Sequence, residues 1–291
     1  MSDDSRRAVT WLDVFTSQPL TGNALCVIHG ADDLSDGVML AVARETRLSE
    51  TTFIQQPTVT GADYRNRIFS PPGELPFAGH PSLGTAVAHA RHSGKRTASY
   101  VQQTRAGLQP IEVELHGATA RASMIQGPVT YGATPDPERV AAAFGLQVSD
   151  LVAELPPTVA SAGAPHLLTV IADASRLPHL EFQPAALGAI LDELEVIVIY
   201  VVAVSDDGTT VRARSFYMDR GLIVEDPATG SAAGPLVAFL ARGGVTSSIE
   251  ISQGVEMGRP SRLAASVVTE QVGFVRVGGD AVVVADATGV L

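Results

Sequence analysis

The chain has 291 residues, 45% of them apolar, with 20 Lys+Arg against 31 Asp+Glu for a formal net charge of −11. Its one cysteine, Cys26, excludes an intramolecular disulfide, a thiolate zinc cluster and catalysis by a pair of thiols, and fits a reducing, cytoplasmic compartment. An acidic chain without a basic run is a poor nucleic-acid binder. The longest apolar run, residues 196–204, is too short to cross a bilayer, and residues 1–7 carry charge without the apolar core of a signal peptide. The single lysine, Lys95, sits in the polar turn Ser93-Gly94-Lys95-Arg96, a poor place for a Schiff-base amine.

Short β-branched or aromatic runs bounded by Gly, Pro, Ser or Gln predict strands at 8–15, 24–28 and 51–54. Between them, residues 36–47 read as a helix with Ser35 as N-cap. A strand at 63–69 leads into a turn-rich segment ending Phe77-Ala78-Gly79-His80-Pro81, then a helix over 81–92 and strands at 97–104, 111–115 and 120–125. Gln126-Gly127-Pro128 marks a boundary. It gives a first half at 1–127, open to completion by the last strand at about 280–291, and a second half at 128–291. The second half predicts helices at 137–144, 185–194 and 231–242, strands at 157–162, 166–170, 196–204 and 210–217, and four closing strands.

An internal repeat is the most informative feature. His80-Pro81-Ser82-Leu83-Gly84-Thr85-Ala86 aligns with Asp226-Pro227-Ala228-Thr229-Gly230-Ser231-Ala232 at an offset of 146, and Arg67-Ile68-Phe69 aligns with Arg214-Ser215-Phe216 at 147. Chance can produce such a match, but a strand, a turn-rich loop and a small-residue helix surround both copies, which favours a duplicated α+β fold. Each copy offers an open helix N-terminus, suited to a carboxylate or phosphate. In this register His80 and Asp226 are equivalent, and both residue types move protons. Asp226 also fits a plain N-cap.

These residues resemble the phenazine-biosynthesis PhzF-like family, which shares the diaminopimelate epimerase-like fold. The matching segments are Asp13-Val14-Phe15-Thr16 with Gly22-Asn23, Leu48-Ser49-Glu50-Thr51-Thr52-Phe53, Glu74-Leu75-Pro76-Phe77-Ala78-Gly79-His80-Pro81, Glu225-Asp226-Pro227-Ala228-Thr229-Gly230-Ser231-Ala232, Gln253-Gly254, Gly258-Arg259-Pro260-Ser261 and Val277-Gly278-Gly279. The resemblance implies two pseudo-symmetric halves, each a mixed sheet wrapped around a central helix, with the active site in the cleft between them. It implies an isomerase in which Glu50 is the general acid/base, His80 and Asp226 complete the catalytic set, and Gly79, His80, Gly230 and Ser231 hold the substrate. It also implies a homodimer and a small carboxylate-bearing substrate. No cofactor motif of the G-x-G-x-x-G, P-loop or H-E-x-x-H type is present, and the expected chemistry needs neither cofactor nor metal. Two departures from the family pattern are Asn23-Ala24, in place of Asn-Pro, and a loop reading Phe216-Tyr217-Met218-Asp219.

Other readings stay open on sequence. Ser82 or Ser231 with His80 and Asp226 could form a serine hydrolase, although no G-x-S-x-G elbow is present. His80, His89 and His92 could hold a metal, and the fold could serve as a non-catalytic binding module. Cys26 reads as a buried apolar thiol. His166 in Gly163-Ala164-Pro165-His166 reads as structural before functional, and His29, His116 and His179 read as surface or turn residues.

Overall fold

A computed structural model describes residues 6–219 and 221–291; most of the charged stretch 1–7 lies outside the described residues. The elements run in chain order as β1 (Arg6–Val14), β2 (Asn23–Ile28), α1 (Asp36–Thr46), β3 (Thr51–Gln55), β4 (Tyr64–Phe69), β5 (Glu74–Leu75), α2 (Gly79–His92), β6 (Thr97–Thr104), β7 (Gly107–His116) and β8 (Thr119–Gln126). They continue as β9 (Thr130–Tyr131), α3 (Pro137–Ala143), β10 (Thr158–Ser161), β11 (Pro165–Ile171), α4 (Pro184–Glu193), β12 (Val198–Val204), β13 (Thr210–Asp219), β14 (Leu222–Asp226), α5 (Gly230–Arg242), β15 (Ser248–Gln253), β16 (Ser261–Val267) and β17 (Val275–Val290). The chain forms two compact units. The first runs up to Ile125 and resumes at Gly278; the second is Gln126–Val277.

In the first unit β1–β2 is antiparallel, β2–β3 parallel, β3–β4 antiparallel, β4–β6 parallel, and β6–β7 and β7–β8 antiparallel. β17 pairs with both β8 and β1, which closes a barrel of eight strands and leaves no open edge. The helix α2 runs inside it. Every residue from Gly79 through Ala88 is buried, as expected for a helix that is small or apolar on all sides. Gly84 permits the close approach: a Cβ there would lie 2.6 Å from Leu25 and 2.8 Å from Val14. By contrast α1 packs outside, with Met39 and Ala43 against Cys26, Ile28, Phe53 and Phe69. Ser35 caps it by accepting from Val38 N–H, and Arg47 ends it at φ 55°.

The second unit repeats this order of pairing. β10–β11 is antiparallel, β11–β12 parallel, β12–β13 antiparallel, β13–β15 parallel and β15–β16 antiparallel. α5 is its central helix, and α3 and α4 cover the other side of the sheet through Val140, Phe144, Leu187, Ile190, Ile199 and Phe216. Side chains repeat as well. Arg67 on β4 forms a two-pronged pair with Glu74 on β5, at 2.5 and 2.9 Å, and its guanidinium lies over the Phe69 ring. Arg214 on β13 does the same with Glu225 on β14, at 2.9 and 2.7 Å, over Phe216.

These pairs correct the register of the repeat. Glu74, Pro76, Gly79 and Gln102 correspond to Glu225, Pro227, Gly230 and Gln253, all at an offset of 151 rather than 146. Gly79 and Gly230 each begin their helix, after Ala78 and Thr229 as N-caps. The equivalent of His80 is therefore Ser231, and that of Asp226 is Leu75. The change from 147 at Arg214 to 151 at Glu225 reflects a longer β13–β14 hairpin, in which Tyr217, Met218 and Asp219 pair with Val224, Ile223 and Leu222. That segment is thus strand, not loop. Two other expectations change: three strands, not four, follow α5, and His29 is buried at 6% exposure.

Candidate active site

Each unit contributes candidate residues around the start of its central helix. In the first unit Glu50 immediately precedes β3, and His80 is the second residue of α2. Two hydroxyl pairs set their positions. Thr46 and Thr51 are 2.8 Å apart, tying the end of α1 to the start of β3, and Thr85 donates to Thr52 at 2.8 Å, tying α2 to the same strand. The result places Glu50 Oε2 3.6 Å from His80 Nε2, with the side chains 16% and 7% exposed.

That separation is longer than a hydrogen bond, and His80 Nε2 has no hydrogen-bond partner. Burial pushes the His80 imidazole down to about 3, opposed by a hydrogen bond with the backbone at Ala24. The ring is therefore neutral at physiological pH. It faces Glu50 as an uncharged polar group, not as the cation of an ion pair. Glu50 Oε2 is itself a buried atom, on a side chain that keeps 16% of its surface exposed. The N-cap Ala78 offers no side-chain hydrogen bond, so the first turn of α2, Gly79 and His80 included, keeps the electrostatics of an open helix N-terminus.

In the second unit Asp226 ends β14, and Gly230 and Ser231 begin α5, whose N-cap Thr229 also makes no side-chain cap bond. Thr229 Oγ1 donates to Asp226 Oδ2 at 2.5 Å. Ser231 Oγ lies 3.0 Å from Nε2 of His166, a fully buried residue of β11. Burial pushes the His166 imidazole down to about 4, so it too is neutral. The sequence reads His166 as structural before functional; the structure places it against Ser231, and its spacing after Gly163 is the sequence signal for it. Buried Gln253 of β15, quoted above only as part of a motif, binds the Asp226–Thr229 turn.

Ser231 Oγ is paired with His166 within its own unit, and Ser82 Oγ is buried without a hydrogen-bond partner. Among the described residues no group of three or more His, Cys, Asp or Glu could hold a metal ion. His89 instead packs on Tyr64 and Tyr100, and His92 stacks on His29 at 4.5 Å. Cys26 is buried, and burial pushes its thiol up to about 11. No helix among the described residues is long and apolar enough to cross a membrane.

A paired set of mixed sheets wrapped on central helices is the architecture of diaminopimelate epimerase-like isomerases. It is shared at the level of fold with a hydroxyproline epimerase from Agrobacterium vitis (TM-score 0.63, 14% identity, 98% of this chain and 91% of that one). Within that class, residues 12–287 match the model of the phenazine biosynthesis-like (PhzC-PhzF) proteins, and the chain belongs to this family. It is 38% identical over 275 residues to a trans-2,3-dihydro-3-hydroxyanthranilate isomerase of Pseudomonas aeruginosa, covering 92% of this chain and 94% of the relative. Identity to the enzyme of the same name from Pseudomonas chlororaphis is 37% over 286 residues, covering 96% and 98%. A solved predicted epimerase from Pseudomonas aeruginosa superposes with a TM-score of 0.84 at 36% identity, covering 98% of this chain and 99% of that one. The chain is a small-molecule isomerase of the PhzF-like type.

Proposed function

We propose that this isomerase moves a proton between two carbons of a small, carboxylate-bearing metabolite, with Glu50 as the general acid/base. The observation that carries this reading is the buried Glu50 Oε2, 3.6 Å from the neutral His80 ring. Glu50 removes a proton from one substrate carbon and returns it to another, so the double bond shifts and the carboxylate is regenerated. No electron is gained or lost, and the reading requires no cofactor. His80 and Asp226 orient and polarise the substrate. Backbone and side-chain donors at Gly79, His80, Gly230 and Ser231 bind it, and its carboxylate suits an open helix N-terminus. Trans-2,3-dihydro-3-hydroxyanthranilate, named for the Pseudomonas relatives, is the substrate to test first.

The test is Glu50→Gln in purified protein, with deuterium incorporation from solvent followed at the substrate carbons. Loss of at least about 100-fold in exchange, at unchanged fold, is the expected result for a general base. Exchange at the wild-type rate would overturn the reading. The same reading takes the protein as a cytoplasmic homodimer, for which light scattering on the purified protein gives the subunit count.

A further inference from the structure

We infer that Gln253, seated by Tyr200, is a positioning residue that fixes the Asp226–Thr229 turn and thereby aims the Asp226 carboxylate. The inference rests on the role proposed above for Asp226.

Gln253 is fully buried, and its amide uses its whole hydrogen-bonding capacity. Nε2 donates to the Asp226 carbonyl at 2.7 Å and to Thr229 Oγ1 at 3.0 Å. Oε1 accepts from the Tyr200 hydroxyl at 2.9 Å and from Thr229 N–H at 3.2 Å. These partners fix which way the amide points, since a flip would set its oxygen against the Asp226 carbonyl and its NH2 against two donors. Thr229 Oγ1, having accepted from Gln253, directs its own proton to Asp226 Oδ2. The hydrogen bonds therefore run in one direction, from Tyr200 through Gln253 and Thr229 to the carboxylate, and such chains polarise cooperatively. The following residue adds a steric limit. Gly254 has φ 74°, and a Cβ there would lie 2.6 Å from the Pro227 carbonyl oxygen, so the strand end is pressed on the same turn.

The first unit supplies an internal control. Its equivalent glutamine, Gln102, is also fully buried, and its Oε1 accepts from Asn66 at 3.1 Å and from Tyr64 at 3.4 Å. Its Nε2, however, has no hydrogen-bond partner: Ala78, standing where Thr229 does, offers no hydroxyl, and the carbonyl of Leu75, the counterpart of Asp226, is not bonded to it. The repeated strand thus keeps its buried glutamine without the clamp. The donor side of Gln253 has a partner only in the unit that carries the aspartate.

The experiment compares Tyr200→Phe, Gln253→Met and the control Gln102→Met. It measures kcat and KM on the substrate used for Glu50, and the carboxyl carbon resonance of Asp226 by NMR. Tyr200→Phe is expected to lower kcat about tenfold and Gln253→Met about 100-fold, each with KM within about twofold, as for loss of aim and not of binding. The Asp226 resonance moves in both. Gln102→Met lowers Tm but leaves kcat and the resonance in place. Wild-type kcat and an unmoved resonance in Tyr200→Phe and Gln253→Met would overturn the inference, as would an equal loss in Gln102→Met. If Gln253→Met does not fold, Tyr200→Phe decides alone, since it removes one hydroxyl. Asp226→Asn separates the two readings. If it is impaired while the clamp variants are wild-type, only the clamp fails; if it is fully active, the role of Asp226 fails, and the resonance still reports the clamp.

Discussion

Glu50 and Val198 occupy the same position in the two units. Phe69 pairs with Thr51 in the first unit and its counterpart Phe216 pairs with Ile199 in the second, so the residues just before, Glu50 and Val198, are equivalent. Val198 is buried at 7% exposure. The repeated scaffold therefore accepts an apolar side chain where the first unit holds a carboxylate. The helix-start partners differ likewise, with His80 in one unit and Ser231 in the other.

Glu50→Val copies into the first unit the residue that the second already carries. It should abolish solvent exchange into substrate while leaving the fold intact, because the second unit already packs a valine at the equivalent position. Exchange measurements and thermal unfolding on one preparation check both halves of this expectation. A large fall in Tm would mean that Glu50 holds the fold.

The paired Arg214 and Glu225 are 9% and 15% exposed, and Arg214 also donates to the Leu177 carbonyl at 2.8 Å. Glu225→Leu leaves a buried guanidinium without its countercharge and should cost about 3–5 kcal/mol. The double variant Arg214→Met/Glu225→Leu should cost less than Glu225→Leu alone, since no uncompensated charge stays behind. Denaturant unfolding of wild type, both single variants and the double gives the coupling directly.

Acid should destabilise the protein through buried histidines. His29, His80 and His166 are pushed down to about 4, 3 and 4 by burial, with His92 and His89 adding to the effect at His29 and Asp286 opposing it. Each stays neutral in the native state but takes up a proton near 6.5 when unfolded. Their contribution is present above 6.5 and is lost progressively as pH falls toward 4 and 3. His29→Gln lies outside the proposed site and should flatten the fall in unfolding free energy between pH 6 and pH 4.5 by up to about 1.4 kcal/mol per pH unit. An unchanged slope would show that His29 does not contribute.

Much of the barrel was legible because its strands are short alternating or β-branched runs between clear turn residues, and α1 carries its own cap at Ser35. The register of the repeat is ambiguous in sequence for a local reason. The first copy holds two Pro-x-x-Gly segments five residues apart, Pro76-Phe77-Ala78-Gly79 and Pro81-Ser82-Leu83-Gly84, and both match Pro227-Ala228-Thr229-Gly230. Only the helix starts and the two Arg–Glu pairs choose between them. Glu50 and His80 could be named from family motifs, but not their separation, which depends on hydroxyl pairs linking α1, β3 and α2. The Tyr200–Gln253–Thr229 chain joins residues 24 and 53 positions apart, and no local pattern announces it. Buried His29 gave no signal at all, since its neighbours His92 and Asp286 come from distant segments.

The closure of the first barrel by β17 sets an order of events during synthesis. Thr10 of β1 meets Asp286 of β17, 276 residues further along the chain. At the usual elongation rate of about 5–20 residues per second, that partner emerges roughly 15–55 seconds after β1 does. All of Gln126–Val277 is made in the interval. The unit translated first is therefore the last that can shut, and for that time the nascent chain carries an unpaired strand edge that folding helpers must shield or neighbouring chains can seize.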